Sequence, residues 1–215
     1  MLTILFHGPS GCGKDTQVEF LQKDYNFENI GTGDMFRKLY AQGDPDAIIA
    51  HDYMERGEFV SNDLVYKMLP KWLNQFDENK NWAFVSTVRD AGQIPLFDAL
   101  LASKNRPLDK FVHFTLSEET AIERMSLRWI CPKCGASYHE KFKPEDVKGI
   151  CNNCGEHLIQ RDDDKPGKIV NRLKEYNRTI QPILDEYRNR GILLEIDASP
   201  SIEEIHNTLI KELGL

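Results

Sequence analysis

Gly8-Pro9-Ser10-Gly11-Cys12-Gly13-Lys14-Asp15-Thr16 is the stretch on which the fold turns. It follows the apolar run Leu2-Thr3-Ile4-Leu5-Phe6 and precedes a stretch of helical character from about Lys14 to Leu21. A buried strand, a glycine-rich turn and a helix in that order give the context in which G-x-x-x-x-G-K reads as a phosphate loop. The glycines let the backbone curl until its N–H groups and the helix N-terminus face an anion, and Lys14 adds a mobile positive charge for β and γ phosphates. The alternative, a glycine-rich turn beside a solvated lysine, leaves three coincident signals to chance. Asp15 departs from the general motif, since most such loops carry Ser or Thr there to touch Mg²⁺, and Thr16 comes one place late. A carboxylate in that position repels phosphate unless it faces a metal ion or a cation. It is either a metal-side acid or a side chain turned to solvent.

Outward from the loop, apolar runs recur at Trp82-Ala83-Phe84-Val85, Phe111-Val112-His113-Phe114 and Ile192-Leu193-Leu194-Glu195-Ile196. Helical patterns separate them, which is the rhythm of a parallel sheet with crossover helices. Phe27-Glu28-Asn29-Ile30 offers one more strand, and the fold class is α/β, doubly wound. Leu64, Met68 and Trp72 recur at helical spacing behind the cap candidates Ser61 and Asn62. Ile202, Ile205 and Leu209 do the same, with Ser201 and Glu204 spaced as a capping box. Two stretches break the rhythm. Residues 32–60 are helical and polar, and residues 127–164 hold four cysteines, two prolines and three glycines with little helical period. The second reads as a small insert that needs a staple of its own.

Composition sets the outer bounds. The chain has 215 residues, 27 Lys plus Arg against 34 Asp plus Glu, and a net charge of −7, which argues against broad nucleic-acid electrostatics. With 40% hydrophobic and 28% charged residues it has the make-up of a soluble globular protein. No apolar run approaches the ~20 residues that span a bilayer, and the N-terminal run lacks the basic flank of a signal peptide. A cytoplasmic protein with no membrane partner is expected. In a reducing compartment, the C-x₂-C-x₁₆-C-x₂-C array of Cys131, Cys134, Cys151 and Cys154 reads as a metal site rather than two disulfides. Four thiolates suit a tetrahedral, structural Zn²⁺ with no open position. Cys12 stands apart and reads as a small loop residue, not a nucleophile. A zinc ribbon that binds nucleic acid is the competing reading of the array. Lys133, Lys141, Lys143 and Lys148 are matched there by Glu140, Glu145, Asp146 and Glu156, so the excess of positive charge such a ribbon needs is missing.

The loop with Thr16-Gln17, then Gly31-Thr32-Gly33-Asp34-Met35-Phe36-Arg37, then Gly57-Glu58-Phe59-Val60-Ser61-Asn62-Asp63, resembles the adenylate kinase family in its form with a zinc-bearing lid. The likeness runs on through Arg124, Arg128, the four cysteines, Tyr138-His139, Gln160-Arg161-Asp162-Asp163 and Asn171-Arg172-Leu173, so it covers essentially the whole chain in order. It implies a P-loop core with a five-stranded parallel sheet (residues 1–30, 61–126 and 165–215), a monophosphate-binding segment (31–60) and a zinc lid (127–164). The implied reaction is reversible transfer of the γ-phosphoryl of MgATP to AMP, giving two ADP, by a monomer. Gly11, Cys12, Gly13, Lys14, Asp15 and Thr16 would hold ATP phosphates, with Arg124 against the adenine and Ser137, Tyr138 and Pro200 lining the ATP site. Thr32, Arg37, the backbone at Glu58, Phe59 and Val60, Ser86, Arg89 and Gln93 would hold AMP. Arg89, Arg128, Arg161 and Arg172 would gather with Lys14 around the transferring phosphate, Arg161 and Arg172 reaching the AMP side.

Phosphoryl transfer offers a protein little covalent chemistry, so several permanently charged, forked guanidinium groups are what the task requires. Any one of these arginines could instead be an ordinary surface ion-pair partner, Arg161 beside Asp162 for example. One departure from the family stands out. Its pattern Asp-Gly-Phe-Pro-Arg appears here as Val85-Ser86-Thr87-Val88-Arg89. Valine cannot accept a hydrogen bond from a metal-bound water, so the cation must be held differently or more weakly. The missing acid makes room for two other outcomes, a catalytically weak nucleotide-binding switch and a kinase with altered acceptor preference. Thr32 and Gln93 favour adenine, since an amide presents both a donor and an acceptor to its edge.

Overall fold

The computed structural model describes residues 1–215, apart from the side chain of Asp163 in the motif Gln160 to Asp163. The expected strands form one parallel sheet. They are β1 (Thr3–His7), β2 (Phe27–Gly31), β3 (Asn81–Val85), β4 (Lys110–Thr115) and, after two short strands of a separate sheet, β7 (Leu193–Asp197), in the order β2-β3-β1-β4-β7. Register runs Leu5 to Phe84 on one side of β1 and Leu5 to Phe111 on the other. Every residue of β1 is buried, as a sheet covered by helices on both faces demands.

Period-two alternation divides the core. Leu5, Phe84, Trp82 and Phe111 pack one face against α4 (Asn62–Leu73), α5 (Gln93–Ser103) and α7 (Pro166–Asn189). Ile4, Phe6, Val112 and Phe114 pack the other against α1 (Lys14–Asp24) and α8 (Ile202–Leu213). The capping box on α8 is formed as the sequence implied, Ser201 accepting from the Glu204 N–H while Glu204 returns to the Ser201 backbone. Ser61 does occupy the N-cap of α4, but its side chain makes no cap bond, and Asn62 turns instead toward Gln93 and Asp90. The last strand begins one residue later than the apolar run, at Leu193.

The two interruptions take distinct forms. Residues 32–60 hold α2 (Thr32–Ala41) and α3 (Pro45–Glu55), the latter capped by Asp44. The cysteine-bearing stretch follows α6 (Glu118–Ser126) and contains the antiparallel pair β5 (Arg128–Ile130) and β6 (Ser137–His139), which the sequence did not reveal. Ile130 also bridges Ile159, so the chain leaves and re-enters the body side by side. Among the described residues, the buried core of this insert is Cys131, Tyr138, Cys151 and Leu158, with Trp129, Ala136 and Cys154 packed partly buried against it. No helix is long and apolar enough to cross a membrane.

Candidate active site

The phosphate loop sits at the C-terminal end of the central strand, where neighbouring connections diverge to either side and leave a crevice. Gly8 has no room for a side chain, because a Cβ there would lie 2.7 Å from the Phe114 carbonyl oxygen and 2.9 Å from Cys12 Sγ. Gly13 caps α1 with φ of 83°, a left-handed turn that releases the first helical N–H groups toward the crevice. Lys14 is folded into the loop, its Nζ 3.4 Å from the Pro9 carbonyl oxygen. Cys12 is fully buried, and desolvation pushes its thiol up against the pull of Lys14, which suits packing rather than nucleophilic chemistry.

Three contiguous cavities open around the loop. The first, of about 620 Å³, is lined by Thr32, Arg37, Glu58, Phe59, Val60, Ser86 and Gln93. The third, of about 820 Å³, is lined by Gly11, Thr16, Arg124, Ser137, Tyr138 and Pro200. The second, about 770 Å³, joins them, sharing Arg37, Arg89, Arg161 and Arg172 with the first and Asp15 and Arg128 with the third. All residues expected from the sequence at the two nucleotide sites therefore lie in or beside one cleft, with the cations concentrated at its middle.

Arg128 and Arg172 are held by a residue that sequence reasoning passed over. Asp164 is wholly buried in its side chain and accepts two bonds from Arg128, at 2.8 and 2.6 Å, and one from Arg172 at 3.1 Å. A carboxylate so placed is tolerable only with paired cations, and in return it fixes both guanidinium planes. Asp162, the acid expected as a possible partner for Arg161, forms ion pairs with Lys165 and Lys168. Arg37 binds Asp34 at 2.5 Å. Arg89 lies over the Phe59 ring and donates from Nε to the Ser86 carbonyl at 3.1 Å, with Thr32 Oγ1 donating to the same oxygen at 3.3 Å. Ser86 adopts φ of 52°, a left-handed conformation that a residue with a Cβ takes only under constraint.

Gln93, expected to read a base edge, has both ends of its amide in use within the protein. Its Oε1 accepts from the Arg89 backbone N–H and its Nε2 donates to Asn62 Oδ1, both at 2.7 Å. On the donor side, Arg124 donates to the Ala198 and Ser199 carbonyl oxygens and stacks over Phe142, 5.4 Å from the ring centre. Phe142 and His139 line that cavity too; neither was expected from the sequence to line a nucleotide site.

Beneath the cleft lie two imidazoles paired across β1 and β4, His7 and His113. His7 Nδ1 accepts the Gly8 N–H at 2.9 Å, and His113 Nε2 lies 2.6 Å from the Tyr176 hydroxyl. Burial holds His7 well below the usual imidazole range, helped by His113, Lys14 and Arg89; burial also lowers His113, against the opposing pull of Glu195. The unfolded chain therefore binds more protons than the folded one below about pH 6.5. The stability these two imidazoles contribute is expected to be present above that pH and to be lost progressively as pH falls below it. Urea melts across this range should show the decline, and His113→Leu should show a shallower one; equal slopes would exclude the buried imidazole as its source.

The four cysteine sulfurs all lie within 4.8 Å of one another, Cys131 to Cys154 at 3.4 Å and Cys134 to Cys151 at 3.5 Å. Sulfurs around a tetrahedral ion at ~2.3 Å stand about 3.8 Å apart, so the cluster fits such an ion. The knuckle turns are formed, with the Gly135 N–H on the Cys131 carbonyl and the Gly155 N–H on the Cys151 carbonyl. The Tyr138 hydroxyl accepts from the Asn152 N–H and faces Cys151 Sγ at 3.3 Å, the kind of outer contact that orients a metal ligand.

A model of the adenylate kinase family matches residues 6–192. The adenylate kinase of Methanocella arvoryzae is 38% identical over 205 residues, covering 95% of this chain and 94% of the relative. That of Carboxydothermus hydrogenoformans is 36% identical over 204 residues, with 95% of each chain covered. That of Clostridium beijerinckii is 34% identical over 213 residues and 99% of each chain.

Proposed function

The chain belongs to the adenylate kinase family, and from that membership we propose that it transfers the γ-phosphoryl of MgATP to AMP, reversibly, to give two ADP. The observation that carries this reading is the cation-lined cavity between two base-sized cavities, since transfer between two nucleotides requires their phosphates to meet in one place. ATP would enter from the Arg124 side, its adenine against the Arg124 guanidinium and its phosphates on the N–H groups of Gly11 to Thr16. AMP would enter from the Thr32 side, its phosphate met by Arg37 and Arg89. Lys14, Arg128, Arg161 and Arg172 would then surround the group in transit and stabilise charge that develops on its oxygens. Bound Mg²⁺ would bridge phosphate oxygens and screen their charge. Alignment of the two anions supplies the rest, because bringing reactants into line removes an entropic barrier of several kcal/mol.

Residues 31–60 and 127–164 are proposed as bodies that close over the core, shutting out water that would otherwise accept the phosphoryl group. Cys131, Cys134, Cys151 and Cys154 would hold Zn²⁺ as a structural ion, since four thiolates leave no position for substrate. The engaged amide of Gln93 favours a second reading, in which acceptor preference is looser than for AMP alone. ADP formation from MgATP with AMP, CMP, GMP and UMP in parallel tests both. Turnover with AMP alone supports the first, comparable turnover with a second monophosphate the other, and none with any acceptor despite nucleotide binding would leave a switch protein.

A further inference from the structure

Asp15 is the second residue of α1 and lines both the junction cavity and the donor cavity. Its residue is open to cleft water, and among the described residues nothing donates a hydrogen bond to its carboxylate. Desolvation deep in the cleft would push that carboxyl up, but Lys14, Arg128, Arg37 and Arg161 together outweigh it and keep the group ionised. Across the same cavity, one oxygen of Asp34 is tied to Arg37, and Val85 at the end of β3 supplies no side-chain oxygen. A triphosphate laid on this loop therefore passes a fixed negative charge. Like charges brought together there repel, and a divalent cation placed between them reverses the sign.

We infer that Asp15 is a metal-positioning residue: its carboxylate holds the hydrated divalent cation that travels with the ATP phosphates, in place of an acid at Val85. Mg²⁺ keeps most of its water and is bound through one or two carboxylates plus substrate phosphates, which this arrangement provides. Asp34, the other acid lining this cavity, is half exposed but has one oxygen bonded to Arg37, whereas among the described residues neither oxygen of Asp15 is engaged. The inference rests on the reading of the cleft as a nucleotide-phosphate site.

The test uses the full chain with ATP and Mn²⁺ as a paramagnetic stand-in, free Mn²⁺ being read by electron paramagnetic resonance. ATP binding in EDTA is measured in parallel by calorimetry. Asp15→Asn should weaken Mn²⁺ in the ternary complex by about 10–100-fold, Asp15→Glu should keep most of the affinity, and metal-free ATP binding should be unchanged or tighter in Asp15→Asn. Unchanged Mn²⁺ affinity in Asp15→Asn with metal-free binding intact would overturn the inference and leave the phosphate-site reading standing. Loss of metal-free ATP binding in Asp15→Asn and Asp15→Glu alike would also overturn it, assigning Asp15 to loop shape. A wild-type chain that binds no ATP with or without Mn²⁺ would bring down the reading and the inference together.

Discussion

Lys14→Met is expected to lower turnover by about 10³–10⁴-fold while leaving the protein folded and able to bind nucleotide. The size follows from what the ammonium does when phosphate charge develops: donors aimed at such charge are worth factors of 10²–10³, and full cationic stabilisation of a phosphoryl in transit up to 10⁵. Stability should not suffer, because Lys14 is largely buried and its one oxygen contact, to the Pro9 carbonyl, is long at 3.4 Å. Exchange of a buried ammonium for an apolar side chain of similar length removes a desolvation cost along with that weak bond. The decisive comparison is kcat against KM in the coupled assay, beside thermal melts. A rise in KM with kcat unchanged would mean that Lys14 only helps ATP to bind. A lowered melting temperature would instead assign it to the loop's architecture.

Stripping metal from the cysteine cluster should be the next largest effect. The insert between α6 and α7 has a core of four side chains, two of them cysteines, far too little apolar surface to balance the ordering of its chain. A structural Zn²⁺ contributes on the order of 10 kcal/mol to units of this kind. The main body draws on two separate clusters that contain no residue of the insert. Chelation, or Cys131→Ser, is therefore expected to abolish amide-exchange protection over residues 128–160 while β1, β3 and β4 keep theirs. Activity should drop at least 100-fold as Arg128, on β5, loses its placement. Metal content by mass spectrometry and exchange mapped by peptide would show it; lid protection that survives complete metal removal would refute the structural role.

Legibility in the sequence followed the locality of the interactions. The phosphate loop and the cysteine knuckles are short contiguous motifs whose chemistry is set by residues a few places apart, and both appear in space as read. The strands and their parallel order of appearance came through because each is a run of apolar residues buried on both faces. Asp164 did not, since its partners are 36 and 8 residues away and an acidic run beside lysines looks like a solvated surface. Gln93 carries no mark in sequence of being engaged by Asn62, 31 positions back. The pairing of His7 with His113 needs the strand order, which places β4 beside β1 although two strands separate them in the chain. The β5–β6 pair was hidden because three-residue strands are shorter than any periodic signal.

The position of β7 at the outer edge of the sheet, paired with β4 alone, has a consequence for biosynthesis. Residues 116–192, with the cysteine-bearing insert and α7, must all be made before Leu193 can dock. Until then β4 presents Phe111, Val112 and Phe114 on an open parallel edge, the kind of surface that recruits neighbouring chains. The bridge from Ile130 to Ile159 shortens the tether over which β7 must return, yet loop-closure entropy grows only logarithmically, so the gain is about 0.4 kcal/mol, or roughly twofold in rate. Early metal loading would thus hasten completion of the sheet only slightly. Protection of the nascent edge must come from elsewhere, by shielding β4 until the C-terminal strand emerges.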